Sequence, residues 1–275
     1  MKKFGIMTCM GIVLAMLLSS CASTKQVQHL SASPVIDHIV EKGELVVGTA
    51  ASMPPFNLRS RSGEIVGYEI DLARYFAKAL RVELRLEPMA FAELLPALKA
   101  GKVDMVMSGM TMTAERNMKV AFVGPYFITG KSFLTKLQTI ATVEDPSEVN
   151  NPSWRFVALE GSTSQAFVEE LLPDATFIPV RDYEEAIAML RQNKVDALVA
   201  DLPICALTAL QYQDEGFIYL DTPMTYEPIG IAIPANDPLL VNWLENRLLT
   251  LEGSGVMEQL RSYWFSCCDW LVHLP

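Results

Sequence analysis

The sequence predicts an α/β protein built as two lobes, and three observations carry that expectation. Strands alternate with helices along the chain from residue 34 to about 265. One helix–turn–strand unit recurs 92 residues downstream, Leu98-Lys-Ala-Gly-Lys-Val-Asp104 against Leu190-Arg-Gln-Asn-Lys-Val-Asp196. The length left after an export-type leader, about 250 residues, exceeds the usual single core and suits two lobes of about 100 residues each.

The elements follow in chain order. Met1-Lys-Lys3, an apolar run over 4–18 and small residues before Cys21 have the form of an export signal, residues 1–20. The run is too short for a membrane span, which takes about 20 apolar residues. Leu18-Ser-Ser-Cys21 resembles a lipobox, with Cys21 as the lipidated first residue of the mature chain. Residues 21–33 are polar, show no repeating apolar face and read as a flexible tether. Ser33-Pro34 is a cap and first-turn pair for a helix over 35–42.

In each copy of the repeat a helix ends at a residue that tolerates left-handed geometry, Gly101 or Asn193. A β-branched turn then leads into a strand, 103–107 in the first copy and 197–200 in the second. The offset sets Asp201 opposite Gly109, each just past the carboxyl end of its strand, where open α/β sheets bind ligands. The first copy continues through Ser108, Gly109 and Thr111 to Arg116, which offers hydroxyls, a bare backbone and a guanidinium. Arginine's planar fork suits a carboxylate, and glycine lets a ligand approach the main chain. Taken singly, Arg116 reads as a solvated surface charge and Asp201 as an N-cap before Leu202-Pro203. The repeat makes them two walls of one cleft, matched to the two poles of a zwitterion. A buried strand over 156–160 and Gly161-Ser-Thr-Ser164 lead into a helix over 165–172. Ser162 and Thr163 therefore fall where unpaired backbone N–H groups make an anion pocket.

Together these segments resemble the bacterial extracellular solute-binding proteins of family 3, the amino-acid-binding components of ABC importers, over about residues 34–265. The resemblance takes in Gly43-Glu-Leu-Val-Val-Gly-Thr49 with Pro54-Pro-Phe56, Gly67-Tyr-Glu-Ile-Asp-Leu-Ala73, residues 91–98, Gly101-Lys-Val-Asp104 and residues 111–116. It continues through Gly124-Pro-Tyr126, Gly161-Ser-Thr163 and Lys194-Val-Asp196 with Asp201. It implies the periplasmic-binding-protein (Venus flytrap) fold of type II, two α/β lobes joined by a two-segment hinge. Lobe 1 would hold residues 34–129 plus 227–275 and lobe 2 residues 130–226, with crossings near 127–131 and 226–229.

The resemblance also implies roles. Arg116 would bind a ligand's carboxylate, helped by Thr111 and the backbone at Gly109 and Thr163, and Asp201 would receive its α-ammonium group. Phe91 would pack against the ligand's side chain, although spacing alone makes Phe91, Leu94, Leu95 and Leu98 the buried face of a helix. Ala50 and Met53 depart from the pattern, standing where relatives carry an aspartate and an aromatic lid. A pocket end of Ala50, Met53 and Phe91 offers no charge to a cationic side chain and favours a neutral amino acid. Glu160 and Glu227, near the expected cleft, read as solvent-facing.

The chain carries a net charge of −10, and residues 1–20 hold two lysines and no acid, so the remainder carries −12. That balance argues against nucleic acid and against an anionic membrane surface as partners. The expected partners are a small amino acid, ABC permease subunits and, through lipid on Cys21, a membrane facing the periplasm or cell exterior. A monomer without cofactor is expected. His29, His38 and His273 are scattered and no Cys-x-x-Cys occurs, which leaves a metal site without support. An oxidising compartment would allow Cys267 or Cys268 to meet Cys205. The tail after Phe265 departs from the family pattern. Two other readings share the fold: a cyclohexadienyl-dehydratase-like enzyme with Glu160 or Glu227 as general acid, and a ligand-sensing lipoprotein. The sequence shows no nucleophile–base constellation, so a binding protein is expected rather than an enzyme.

Overall fold

A computed structural model describes residues 33–266 and 269–274. The leader, the tether through residue 32 with its Cys21, and the Cys267-Cys268 pair lie outside the described residues. Helix Pro34–Lys42 begins where the cap and proline predict. Ser33 Oγ accepts the Ile36 N–H at 3.2 Å, and Gly43 closes the helix at φ +74°.

The strands in chain order are β1 (Glu44–Thr49), β2 (Ser52–Met53), β3 (Asn57–Arg59), β4 (Ile65–Val66), β5 (Glu83–Pro88), β6 (Met105–Val106) and β7 (Ala121–Thr129). They continue as β8 (Lys131–Thr135), β9 (Arg155–Leu159), β10 (Thr176–Val180), β11 (Ala197–Asp201), β12 (Ile218–Tyr219) and β13 (Glu227–Ile233). The first five-stranded sheet has the order β5-β1-β6-β13-β7, with β1 parallel to β5 and β6, and β13 antiparallel to β6 and β7. The second has the order β10-β9-β11-β8-β12, with β9, β10 and β11 parallel and β8 antiparallel to β11 and β12. A small sheet β2-β3-β4 completes the fold. Continuous apolar runs such as Leu45-Val-Val47 and Leu198-Val-Ala200 are buried residue by residue, as strands covered on both faces require.

The chain leaves the first sheet at Thr129, turns at Gly130 and enters the second at Lys131; it returns through residues 220–226 to Glu227. The two crossings touch. A Cβ on Gly130 would stand 2.0 Å from Thr225 O, so only glycine allows this approach. Lys131 N–H donates to Thr225 Oγ1 at 3.0 Å and Met224 N–H to Lys131 O at 2.9 Å. Lys131 and Glu227 are thus each the first residue of a strand after a crossing.

The repeat's junctions take the expected turn, with Gly101 at φ +66° and Asn193 at φ +56°. The strands after them differ from expectation. β6 keeps only Met105 and Val106, whereas β11 extends one residue further to include Asp201, because β8 pairs along its whole length. The helix expected over 165–172 runs from Thr163 to Leu171 behind a Ser162 cap.

The tail past Phe265, for which the sequence offered no role, contributes Trp270 and Leu274 to packing beside Trp264. Trp264, Trp270 and Leu274 are buried in a core that also takes in Leu207 of helix Leu202–Gln211, and Trp264 Nε1 donates to Asp71 Oδ2 at 2.9 Å. Among the described residues Cys205 is buried and without a disulfide partner, its thiol pushed up to about 12 by burial. Among the described residues no three His, Cys, Asp or Glu side chains are placed to hold a metal, and no helix is long and apolar enough to cross a membrane.

Candidate functional site

The segment that carries Arg116 and the turn after β9 line one cleft, and Arg116 spans it. Its short helix, Ala114–Asn117, is capped by Thr113, whose hydroxyl accepts the Arg116 N–H at 3.2 Å. The guanidinium turns back across the cleft, NH1 donating to Thr111 O at 2.9 Å and NH2 to Gly161 O at 3.0 Å on the turn after β9. It also lies 5.6 Å from the centre of the Phe91 ring, a cation–π distance. Phe91 is therefore both a buried helix residue, as its spacing suggests, and a floor for the arginine. Two of the guanidinium's five donors hold it in place.

A chain of hydroxyls continues from this point. Thr111 Oγ1 and Thr163 Oγ1 meet at 3.3 Å, and Thr163 Oγ1 donates to Glu227 Oε2 at 3.1 Å. Thr225 Oγ1 donates to Glu227 Oε1 at 3.0 Å. Glu227, expected to face solvent, is only 7% exposed, because β13 starts at the hinge on the cleft floor. Glu160 is exposed, as expected.

Asp201 lies on the opposite wall and does not cap the following helix with its side chain. Its Oδ1 instead accepts from Lys131 Nζ at 2.7 Å, and the same Nζ lies 3.5 Å from Glu227 Oε2. Register is the cause: Lys131 and Asp201 are direct cross-strand partners on β8 and β11. The Lys131 side chain is 2% exposed, so its charge is held by these two acids. Burial raises the Asp201 pKa while the Lys131 ammonium pulls it down. Burial lowers the Arg116 pKa, opposed by the charges of Glu227 and Asp201. The four ionic groups thus feel one another across the cleft. Sequence reasoning missed Lys131, since a lysine in a hinge reads as a surface charge and only strand pairing carries it inward.

Four expected ligand contacts are otherwise engaged. Gly109 N–H donates to Glu69 Oε1 at 2.7 Å, behind the cleft wall, rather than standing free for a ligand. Ser108 Oγ accepts the Ala50 N–H at 2.9 Å and is fully buried, tying the end of β6 to that of β1. Met53 is buried against Ser108, its sulfur 3.6 Å from the hydroxyl, and packs in one cluster with Phe91. Ser162 Oγ caps its own helix, accepting from Gln165 N–H at 3.2 Å and donating to Leu159 O at 2.6 Å. The polar groups among them find partners within the protein because a buried polar group left unpaired is costly. A cleft of about 1020 Å³ opens beside the ionic cluster, lined by Arg116, Thr163, Thr225 and Glu227 together with Lys99 and Glu170.

Comparison with known proteins agrees with this architecture. The model for "Bacterial extracellular solute-binding proteins, family 3" matches residues 45–267. The chain is 27% identical to ABC transporter arginine-binding protein 1 of Escherichia coli (strain K12), across 79% of this chain and 89% of that protein. It is 26% identical to the ABC transporter glutamine-binding protein GlnH of Bacillus subtilis (strain 168), across 96% and 97%. A crystal structure of the ancestral amino-acid-binding protein AncCDT-1, described as a precursor of cyclohexadienyl dehydratase, superposes with a TM-score of 0.77. It is 35% identical and covers 84% of this chain and 99% of its own.

Proposed function

This chain belongs to the bacterial extracellular solute-binding proteins of family 3, and on that footing we propose that it captures a neutral amino acid for an ABC importer while anchored by lipid at Cys21. Arg116 takes the ligand's α-carboxylate. Its bond to Gly161 O is the single observation that carries this reading, because it puts one cation in contact with both walls of the cleft. Thr111 and Thr163 supply hydroxyls beside it, and the acid end formed by Asp201 and Glu227 receives the α-ammonium group. Lobe 1, residues 34–129 with 227–275, closes on lobe 2, residues 130–226, about the joint at Gly130 and Thr225. A ligand that touches both walls binds the closed form better, and that difference in affinity drives closure. The closed face is then what the permease subunits recognise.

Thermal-shift titration against the standard amino acids tests the reading, since a ligand at 100 times its Kd adds about 2.7 kcal/mol to folded-state stability. Removing one partner of a buried charge pair costs about 3–5 kcal/mol. Arg116→Ala is therefore expected to weaken the amino acid that shifts wild type by roughly a hundred- to several-thousand-fold. Near-normal affinity in a folded Arg116→Ala protein would sink the assignment.

A further inference from the structure

The charges of the ionic cluster beside the cleft can be counted, and the count has a chemical meaning. Asp201 and Glu227 supply two negative charges, Lys131 one buried positive charge, and Arg116 one positive charge that reaches across the opening. Lys131 stands within reach of both acids and is closed off from water, so it neutralises one of them permanently. The other charges lining the cleft cancel by sign, Lys119 being paired with Glu115 at 2.7 Å and Lys99 being balanced by Glu170, so one negative and one positive charge remain for a guest. Buried charge without a partner is strongly disfavoured, so a guest is selected by the charges it brings.

We propose that Lys131 sets the charge class of the cargo: by occupying one of two acids at the hinge, it leaves room for a single ligand ammonium and turns away amino acids with a second, cationic group. This deepens the proposed function and rests on its amino-acid reading. The arrangement is particular. Lys131 arrives at Asp201 through cross-strand register, its backbone N–H is held by Thr225, and Glu227 is held by Thr225 and Thr163. The ammonium is therefore built into the hinge instead of swinging in from the surface. Glu69, the other buried acid near this wall, points into the knot behind Gly109 and is unchanged by the substitutions below.

The test compares L-arginine and L-lysine with L-glutamine and the other neutral amino acids, by calorimetry and thermal shift. Wild type is expected to favour neutral members. Lys131→Gln frees a second acid, and the affinity of arginine or lysine relative to the best neutral ligand should rise at least about tenfold, or ~1.4 kcal/mol. Lys131→Arg keeps the charge and should keep the wild-type preference. Lys131→Gln leaves two acids facing each other and could unfold the protein. Lys131→Gln with Glu227→Gln removes one charge of each sign, and should return the preference to neutral amino acids. A wild type that prefers arginine or lysine overturns the inference. So does an unchanged preference in a folded Lys131→Gln protein, or a double variant that gains the cationic ligands. If none of the standard amino acids shifts wild type, the amino-acid reading falls and this inference falls with it; a wild-type shift with unmoved preference defeats this inference alone.

Discussion

Ser108-Gly109 and Ala200-Asp201 stand at equivalent positions of a sequence repeat, yet they do different work. The first end is turned inward. Gly109 N–H and the Tyr126 hydroxyl both donate to Glu69 Oε1, Asn57 Nδ2 donates to Oε2 at 2.6 Å, and Ser108 holds the Ala50 N–H. The second end is electrostatic, an acid facing a lysine from the adjacent strand. The strands beside them make the difference. β6 lies between β1 and β13, while β11 lies beside β8, which starts with Lys131 at the hinge. A repeat places backbone equivalently, and non-equivalent neighbours then assign the side chains.

The largest expected effect is at the electrostatic end. Asp201→Ala removes the near partner of a buried ammonium and is expected to cost about 3–5 kcal/mol of stability, toward the lower figure because Glu227 remains 3.5 Å away. Urea denaturation reads this directly, and a loss under about 1 kcal/mol would mean that Lys131 does not depend on the pair. At the inward end, Gly109→Ala forces a side chain onto φ +57° and brings a Cβ to 2.6 Å from Met53 Cε. The left-handed backbone costs about 1–2 kcal/mol, and the flexible methionine end can yield, so the loss should stay near that range. Thr163→Val breaks the hydroxyl chain between the two walls. It should lower stability by about 0.5–1.5 kcal/mol, with a several-fold loss of ligand affinity measured by calorimetry.

The last comparison is one of sign. Burial raises the Glu69 pKa above its ordinary 4.5, against the pull of its Tyr126, Gly109 and Asn57 hydrogen bonds. A carboxyl with a raised folded-state pKa contributes stability that is fully present below the unfolded value and is lost as pH rises through the folded one. The stability of wild type relative to Glu69→Gln should therefore fall as pH rises from 4.5. A difference that grows with pH over that window would show that Glu69 is held as a stabilised anion.

The sequence by itself determined the alternation of strands and helices, the capped start at Ser33-Pro34, and the left-handed turns at Gly101 and Asn193. These depend on local geometry, which a residue carries wherever it sits. Only the tertiary structure decided that Ser108, Gly109 and Met53 are engaged elsewhere, that Glu227 is buried, and that Lys131 faces Asp201. Those outcomes depend on which strand lies beside which, and the Lys131–Asp201 pair joins residues 70 positions apart. Hydrogen-bond demand in a closed interior is satisfied by whatever group the fold brings near, and linear spacing does not contain that information.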